Sequence, residues 1–157
     1  MFISYGCRSS DDFVTYYGFC PLENPHDTVS VEFEGAEFEF RAGLQDLEAA
    51  VGAAAAMAGV DETAAALLLA DRIAAALAEY PTTIEEDEAA DARTGDGEGG
   101  GDGEGADPGD GVIGDATSEG EGRAMLRRLR LSKKRALRAY EERLRSWASL
   151  KHARGIA

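Results

Sequence analysis

The stretch Thr28-Val29-Ser30-Val31-Glu32-Phe33-Glu34-Gly35-Ala36-Glu37-Phe38-Glu39-Phe40 decides the fold class. Val29, Val31 and Phe33, then Phe38 and Phe40, alternate with Ser or Glu around Gly35-Ala36, which puts the apolar side chains on one face. A glycine in the middle of such a run marks a tight reversal. The stretch therefore predicts a β-hairpin with one wet, acidic face.

Working outward, Gly43–Ala58 and Asp61–Tyr80 are alanine-rich and predict two helices. In the second, Leu69, Ile73, Leu77 and Tyr80 follow helical spacing, and Asp61 and Glu62 stand at its electropositive end. The two are expected to pack as an antiparallel pair. Pro81 closes the second helix, and Thr82-Thr83-Ile84-Glu85-Glu86 offers two overlapping Thr-x-x-Glu capping boxes for a third, running to about Ala92. From Thr94 to Gly122 the composition falls to Gly, Asp and Glu, with 12 glycines in Gly95–Gly122. Such a segment buries too little surface to offset its ordering entropy, so 94–122 is expected to be a disordered insertion. Its acids do not recur with the Asp-x-Asp-x-Asp-Gly spacing of a calcium loop. Arg123–His152 predicts a last helix with an interrupted apolar stripe formed by Leu126, Leu129, Leu137, Tyr140, Leu144 and Trp147. Leu69, Ile73 and Leu77 are expected to share one core with Leu137, Leu144 and Trp147, since neither stripe can be buried alone.

Upstream of the hairpin, Phe2–Tyr5 favours a β-strand, and Ser9 can cap a helix from about Ser10 to Tyr16 that exits through Gly18. A turn at Pro21–Asp27 leads into the hairpin. The expected fold is α+β: a short N-terminal β/helix part (1–27), a connecting hairpin (28–42) and a mostly α-helical bundle (43–157).

Charge is segregated along the 157 residues. Residues 1–84 hold 14 acids and 3 bases, 85–122 hold 14 acids and 1 base, and 123–157 hold 2 acids and 12 bases. The total of −14 excludes a nucleic-acid partner by bulk charge. The basic last segment reads as a helix face that balances the acidic remainder. The longest apolar stretches, Val51–Val60 and Ala64–Ala70, fall far below the ~20 residues of a membrane span, so no membrane partner is expected. The N-terminus has neither a basic n-region with an apolar h-region nor an Arg/Ser-rich transit character. Cys7 and Cys20 are too few for a structural zinc site and are expected as reduced, mostly buried thiols; no metal is expected. His26, alone in a turn, reads as structural.

Two strings are more specific. Phe2-Ile3-Ser4-Tyr5-Gly6-Cys7-Arg8-Ser9-Ser10-Asp11-Asp12-Phe13, continuing to Tyr16-Tyr17-Gly18-Phe19 and Asn24-Pro25-His26-Asp27, resembles the C-terminal end of a SET domain in the Rubisco large-subunit methyltransferase family of protein-lysine methyltransferases. Tyr80-Pro81-Thr82-Thr83-Ile84-Glu85-Glu86-Asp87-Glu88 is similar to the connector inside that family's helical substrate-binding domain. Arg130-Leu131-Ser132-Lys133-Lys134-Arg135-Ala136-Leu137 resembles the start of its last long helix. The chain departs from the pattern at Ser10, where the family commonly has Asn, and at Ser132-Lys133, which replace Gly-Glu.

The resemblance implies a lysine N-methyltransferase that uses S-adenosylmethionine and a protein substrate bearing a target lysine, such as the Rubisco large subunit or another plastid enzyme. It implies that Tyr5 is the catalytic tyrosine, that Tyr17 sits near the cofactor, and that Phe19 stacks on the adenine. The family's cofactor loop and Asn-His segment would lie before Met1, so the chain is expected to be inactive alone. A soluble intracellular protein is implied, the chloroplast stroma among its compartments. The alternative readings are a non-catalytic helical protein-binding module and an acidic scaffold for basic proteins.

Overall fold

Alternation does produce the hairpin. In the computed structural model, which describes residues 7–21, 24–41, 47–95 and 116–155, Thr28–Phe33 (β1) pairs antiparallel with Ala36–Arg41 (β2). The register sets Val29 opposite Phe40 and Val31 opposite Phe38, so the apolar side chains face one way and are buried. Glu34 (φ 50°) and Gly35 (φ 78°) form the two-residue reversal, both left-handed as such hairpin turns require.

Before the hairpin lies helix α1, Ser10–Tyr17. Ser9 caps it, its hydroxyl accepting from the Asp12 amide at 3.2 Å. After the hairpin come α2 (Leu47–Ala58), α3 (Glu62–Ala78), α4 (Ile84–Gly95) and α5 (Ala116–Gly155). The architecture is α+β, with one small antiparallel sheet against a mostly helical remainder. Residues 1–6 and 96–115 lie outside the described residues, and with them the expected strand at Phe2–Tyr5 and most of the expected insertion. Helix α5 begins seven residues before the expected Arg123.

One expectation about α2 and α3 changes. Helix α2 spans 12 residues, and the chain turns by 98° between α2 and α3, so the pair forms a corner rather than an antiparallel hairpin. The core expected between α3 and the last helix forms: α3 packs chiefly along α5, burying Leu69 and Ile73 with Leu137, Tyr140 and Leu144. Helix α2 adds Leu47, Val51 and Ala54 to the same core. Each fully buried Leu or Ile contributes about 1.5–3 kcal/mol relative to exposure. The hairpin's apolar face joins this core through Tyr140, whose ring lies 4.6 Å from Phe40 and whose hydroxyl donates to the Arg41 carbonyl. Of the expected stripe, Leu126 is exposed and Leu129 half-buried, while Leu137, Tyr140 and Leu144 are buried.

No single helix among the described residues is long and apolar enough to cross a membrane. Both described cysteines are free thiols, and Cys7 is exposed rather than buried as expected.

Candidate functional site

Three consecutive residues of α5 organise the surface the other elements share. Ser132, Lys133 and Lys134 reach three separate segments, and the sequence marked the first two only as departures from a pattern.

Ser132 donates its hydroxyl to Asp27, a carboxylate with no solvent exposure. Asp27 also accepts from the Ser10 amide at 2.5 Å, the Ser10 hydroxyl at 2.9 Å and the Asn24 side-chain amide at 3.1 Å. The Ser10 amide is the first of α1, so the buried charge sits at that helix's electropositive end. Asn24 further donates to the Arg8 carbonyl and accepts from the His26 amide. His26 itself is exposed, and its backbone makes that contact. Nearby, burial pushes the Cys20 thiol up, and the Asp27 charge adds to it.

Lys133 donates to the Thr28 carbonyl at 2.7 Å and pairs with Asp11. Ser10, Ser132 and Lys133 thus make a set of contacts that fixes α1 and β1 to α5.

Lys134 is a lysine with 1% of its side chain exposed. Its ammonium donates to Asp87 at 2.6 Å, to the Thr82 carbonyl at 2.6 Å and to the Thr82 hydroxyl at 2.9 Å, and it lies 5.1 Å from the Tyr80 ring centre. Burial acts to raise the Asp87 carboxyl, but hydrogen bonds from Lys134 and Thr82 outweigh it and hold the group below its ordinary value. Burial pushes the Tyr80 phenol up. The capping box at the start of α4 forms as predicted: Thr83 Oγ1 accepts from the Glu86 amide at 3.1 Å, and Glu86 accepts from the Thr83 amide at 2.8 Å.

Other cations of α5 follow the same rule. Arg128 pairs with Asp91, Arg135 with Glu88, Arg145 with Asp71 and Lys151 with Glu62. Basic side chains of α5 are thereby paired with acids of α1, α3 and α4.

Of the residues singled out for chemistry, Tyr5 lies outside the described residues. Tyr17 and Phe19 come together. Gly18, at φ 71°, reverses the chain after α1 so that Phe19 returns onto Phe13, ring centres 5.0 Å apart. Tyr17 stands 5.9 Å from Phe13 and 6.5 Å from Phe19, with the Arg8 guanidinium 5.9 Å from its ring centre. Tyr17 is 42% and Phe19 40% exposed, so the pair presents one half-open aromatic face. No group of three or more His, Cys, Asp or Glu side chains suited to a metal occurs among the described residues. Sequence reasoning missed Asp27 and Lys134 as organising groups. The Asn24-x-x-Asp27 turn was a signal for the first; nothing in a run of basic residues marks the second as buried.

A family model described as Rubisco LSMT substrate-binding matches residues 8–137, a span that takes in α1, the hairpin, all of α2 to α4 and the first half of α5. No curated protein and no solved structure matches the chain.

Proposed function

The chain belongs to the Rubisco LSMT substrate-binding family, and from that premise we propose that it holds the protein substrate of a protein-lysine N-methyltransferase. The observation that carries the reading is the family match over most of the chain, 130 of 157 positions counting 8 through 137. The substrate we propose is a protein with a target lysine, of which the Rubisco large subunit or another plastid enzyme is the first to test.

In this reading the chain contributes at the edge of the chemistry. S-adenosylmethionine supplies an electrophilic methyl on a sulfonium. Tyr17 and Phe19 fit one requirement of that cofactor, since two half-exposed rings on a Phe13 base offer a stacking face for a planar heterocycle. Tyr5 is assigned the hydroxyl that orients amine and methyl; with an ordinary phenol pKa of ~10 it acts by positioning rather than as a strong base. The lysine must arrive as the neutral amine in an apolar channel. Preorganising the whole constellation within about half an ångström needs more convergent groups than α1 and its exit supply, so this chain is assigned no turnover by itself.

The test is to delete the segment encoding residues 8–155 from source cells and inventory methyl-lysine by mass spectrometry. Loss of methylation at discrete sites on one or a few proteins is expected. An unchanged inventory would overturn the methyltransferase assignment and leave a non-catalytic binding module.

A further inference from the structure

The hairpin has one covered face and one open face. Thr28, Ser30 and Glu32 on β1 and Glu37, Glu39 and Arg41 on β2 point away from the core, and all but half-buried Thr28 are exposed. Beside its tip an open groove runs between the turn and α3, lined by Glu32, Glu34, Leu68, Asp71, Arg72 and Ala75. Leu68 is 44% exposed there, a large apolar side chain without cover.

Carboxylates outnumber cations around that groove. Glu32, Glu34, Glu37 and Glu39 make no ion pair among the described residues. Arg72 lines the groove as well, its Nε donating to the Glu32 carbonyl at 2.9 Å and its guanidinium pairing with Glu79 at 3.6 Å. Asp71 is held by Arg145 at 2.9 Å. Arg41 stands at the far end of the hairpin, opposite Thr28.

The carboxylates also occupy positions that the local structure disfavours. Glu32 lies directly opposite Glu37, and like charges so placed repel. Glu34 carries φ 50°, which suits Gly, Asn or Asp and strains a longer side chain. Positions that break a local rule are where a site is expected to override it.

We infer that this open hairpin face and the Leu68 groove form the docking surface for a basic, amphipathic segment of the protein substrate. The inference rests on the substrate-holding reading and deepens it by naming where the substrate sits and what chemistry it brings. A lysine- or arginine-bearing segment relieves the Glu32–Glu37 repulsion, while an apolar residue beside its cations covers Leu68. Charge complementarity selects this occupant, because an acidic or neutral segment would leave Glu32 and Glu37 facing each other and Glu34 and Glu39 without a cation.

The test uses the full chain and a short fluorescein-labelled peptide of alternating lysine and leucine, read by anisotropy at about 0.05 M and about 0.5 M salt. Saturable binding that weakens at the higher salt is expected. Glu32→Gln with Glu34→Gln should weaken it roughly tenfold at low salt, and Leu68→Ala roughly fivefold. The charge-matched control Glu48→Gln with Glu142→Gln, on exposed positions of α2 and α5 outside the groove's lining, should change it less than about twofold. Circular dichroism is expected to show all variants folded, since each replaced side chain is exposed. A control that weakens binding as much as the hairpin pair, an inert Leu68→Ala, or an absence of peptide binding would overturn the surface. If methyl-lysine is nevertheless lost on deletion of 8–155, the substrate-holding reading stands and only the surface falls. Peptide binding with an unchanged methyl-lysine inventory supports the surface and overturns the methyltransferase assignment.

Discussion

Replacing Lys134 by Met removes a buried ammonium while keeping the length of its stem against Tyr80. Lys134 and Asp87 are 1% and 4% exposed, so the change strands a carboxylate that retains only the Thr82 hydroxyl, at 2.8 Å. Breaking one side of a buried ion pair costs about 3–5 kcal/mol when the structure stays shut. Helix α4, however, fully buries no apolar side chain among its described residues; Asp87 is the one that is buried there. Its other ties to α5 include the Glu88–Arg135 and Asp91–Arg128 pairs and the Arg127 hydrogen bond to the Ala90 carbonyl at 3.2 Å. Ties this exposed contribute about 0.5–1 kcal/mol each, about 2 kcal/mol for the three. Releasing α4 into water is thus less costly than keeping Asp87 buried and unpaired. Hydrogen exchange followed by mass spectrometry should find residues 84–95 unprotected in Lys134→Met, with α3 and the 136–148 part of α5 still protected. Lys134→Met combined with Asp87→Leu should restore protection of α4, because it removes both charges. Uniform loss of protection across α3, α4 and α5, or an unaffected α4, would refute the reasoning.

Other outcomes follow from single residues. Because the Asp87 carboxyl is held below its ordinary value of 3.8, its stabilising effect is present above that pH and is lost as pH falls through the folded-state value; α4 should lose protection in acid before the α3–α5 core does. A pH-independent α4 between neutrality and the core's acid transition would contradict this. Glu34→Gly should raise stability by about 1 kcal/mol in a denaturant titration, since it relieves the left-handed strain at φ 50°, and a loss would place the turn's strain elsewhere. Gly18→Ala should cost about 1 kcal/mol through φ 71° alone, as no atom lies within 4 Å of the added methyl, and a neutral result would mean the turn relaxes. Leu144→Asp puts an unpaired charge in a fully buried position of the α3–α5 seam and should remove more than about 4 kcal/mol, melting both helices in one circular-dichroism transition rather than two.

What could be read in the sequence was local. Alternation at Val29–Phe40 fixes strand, face and turn together, because a one-residue slip would expose every phenylalanine. The Ser9 and Thr83 caps were equally legible, since a cap is a contact between residues three apart. The α2–α3 corner was not. Helix α2 buries only Leu47, Val51 and Ala54, and the alanines Ala65, Ala66 and Ala70 that α3 buries beside Leu69 and Ile73 carry little knob to specify a crossing angle. Contacts across long separations were equally silent. Ser132 meets Asp27 across 105 positions, and Lys134 meets Asp87 across 47, and no local pattern predicts which member of a Lys-Lys-Arg run turns inward. The candidate site divides the same way: Tyr17 and Phe19 were named from their string, whereas the open face beside Leu68 emerges only once α3 is set against the hairpin tip.

That this chain holds a protein substrate is tested most directly by isothermal titration of the purified chain against the protein that loses methyl-lysine when residues 8–155 are deleted, beginning with the Rubisco large subunit. One saturable site per substrate copy, unchanged by added S-adenosylmethionine, is the result predicted for a domain that binds substrate without the cofactor. No saturable heat with that protein, while the chain remains folded by circular dichroism, would contradict it.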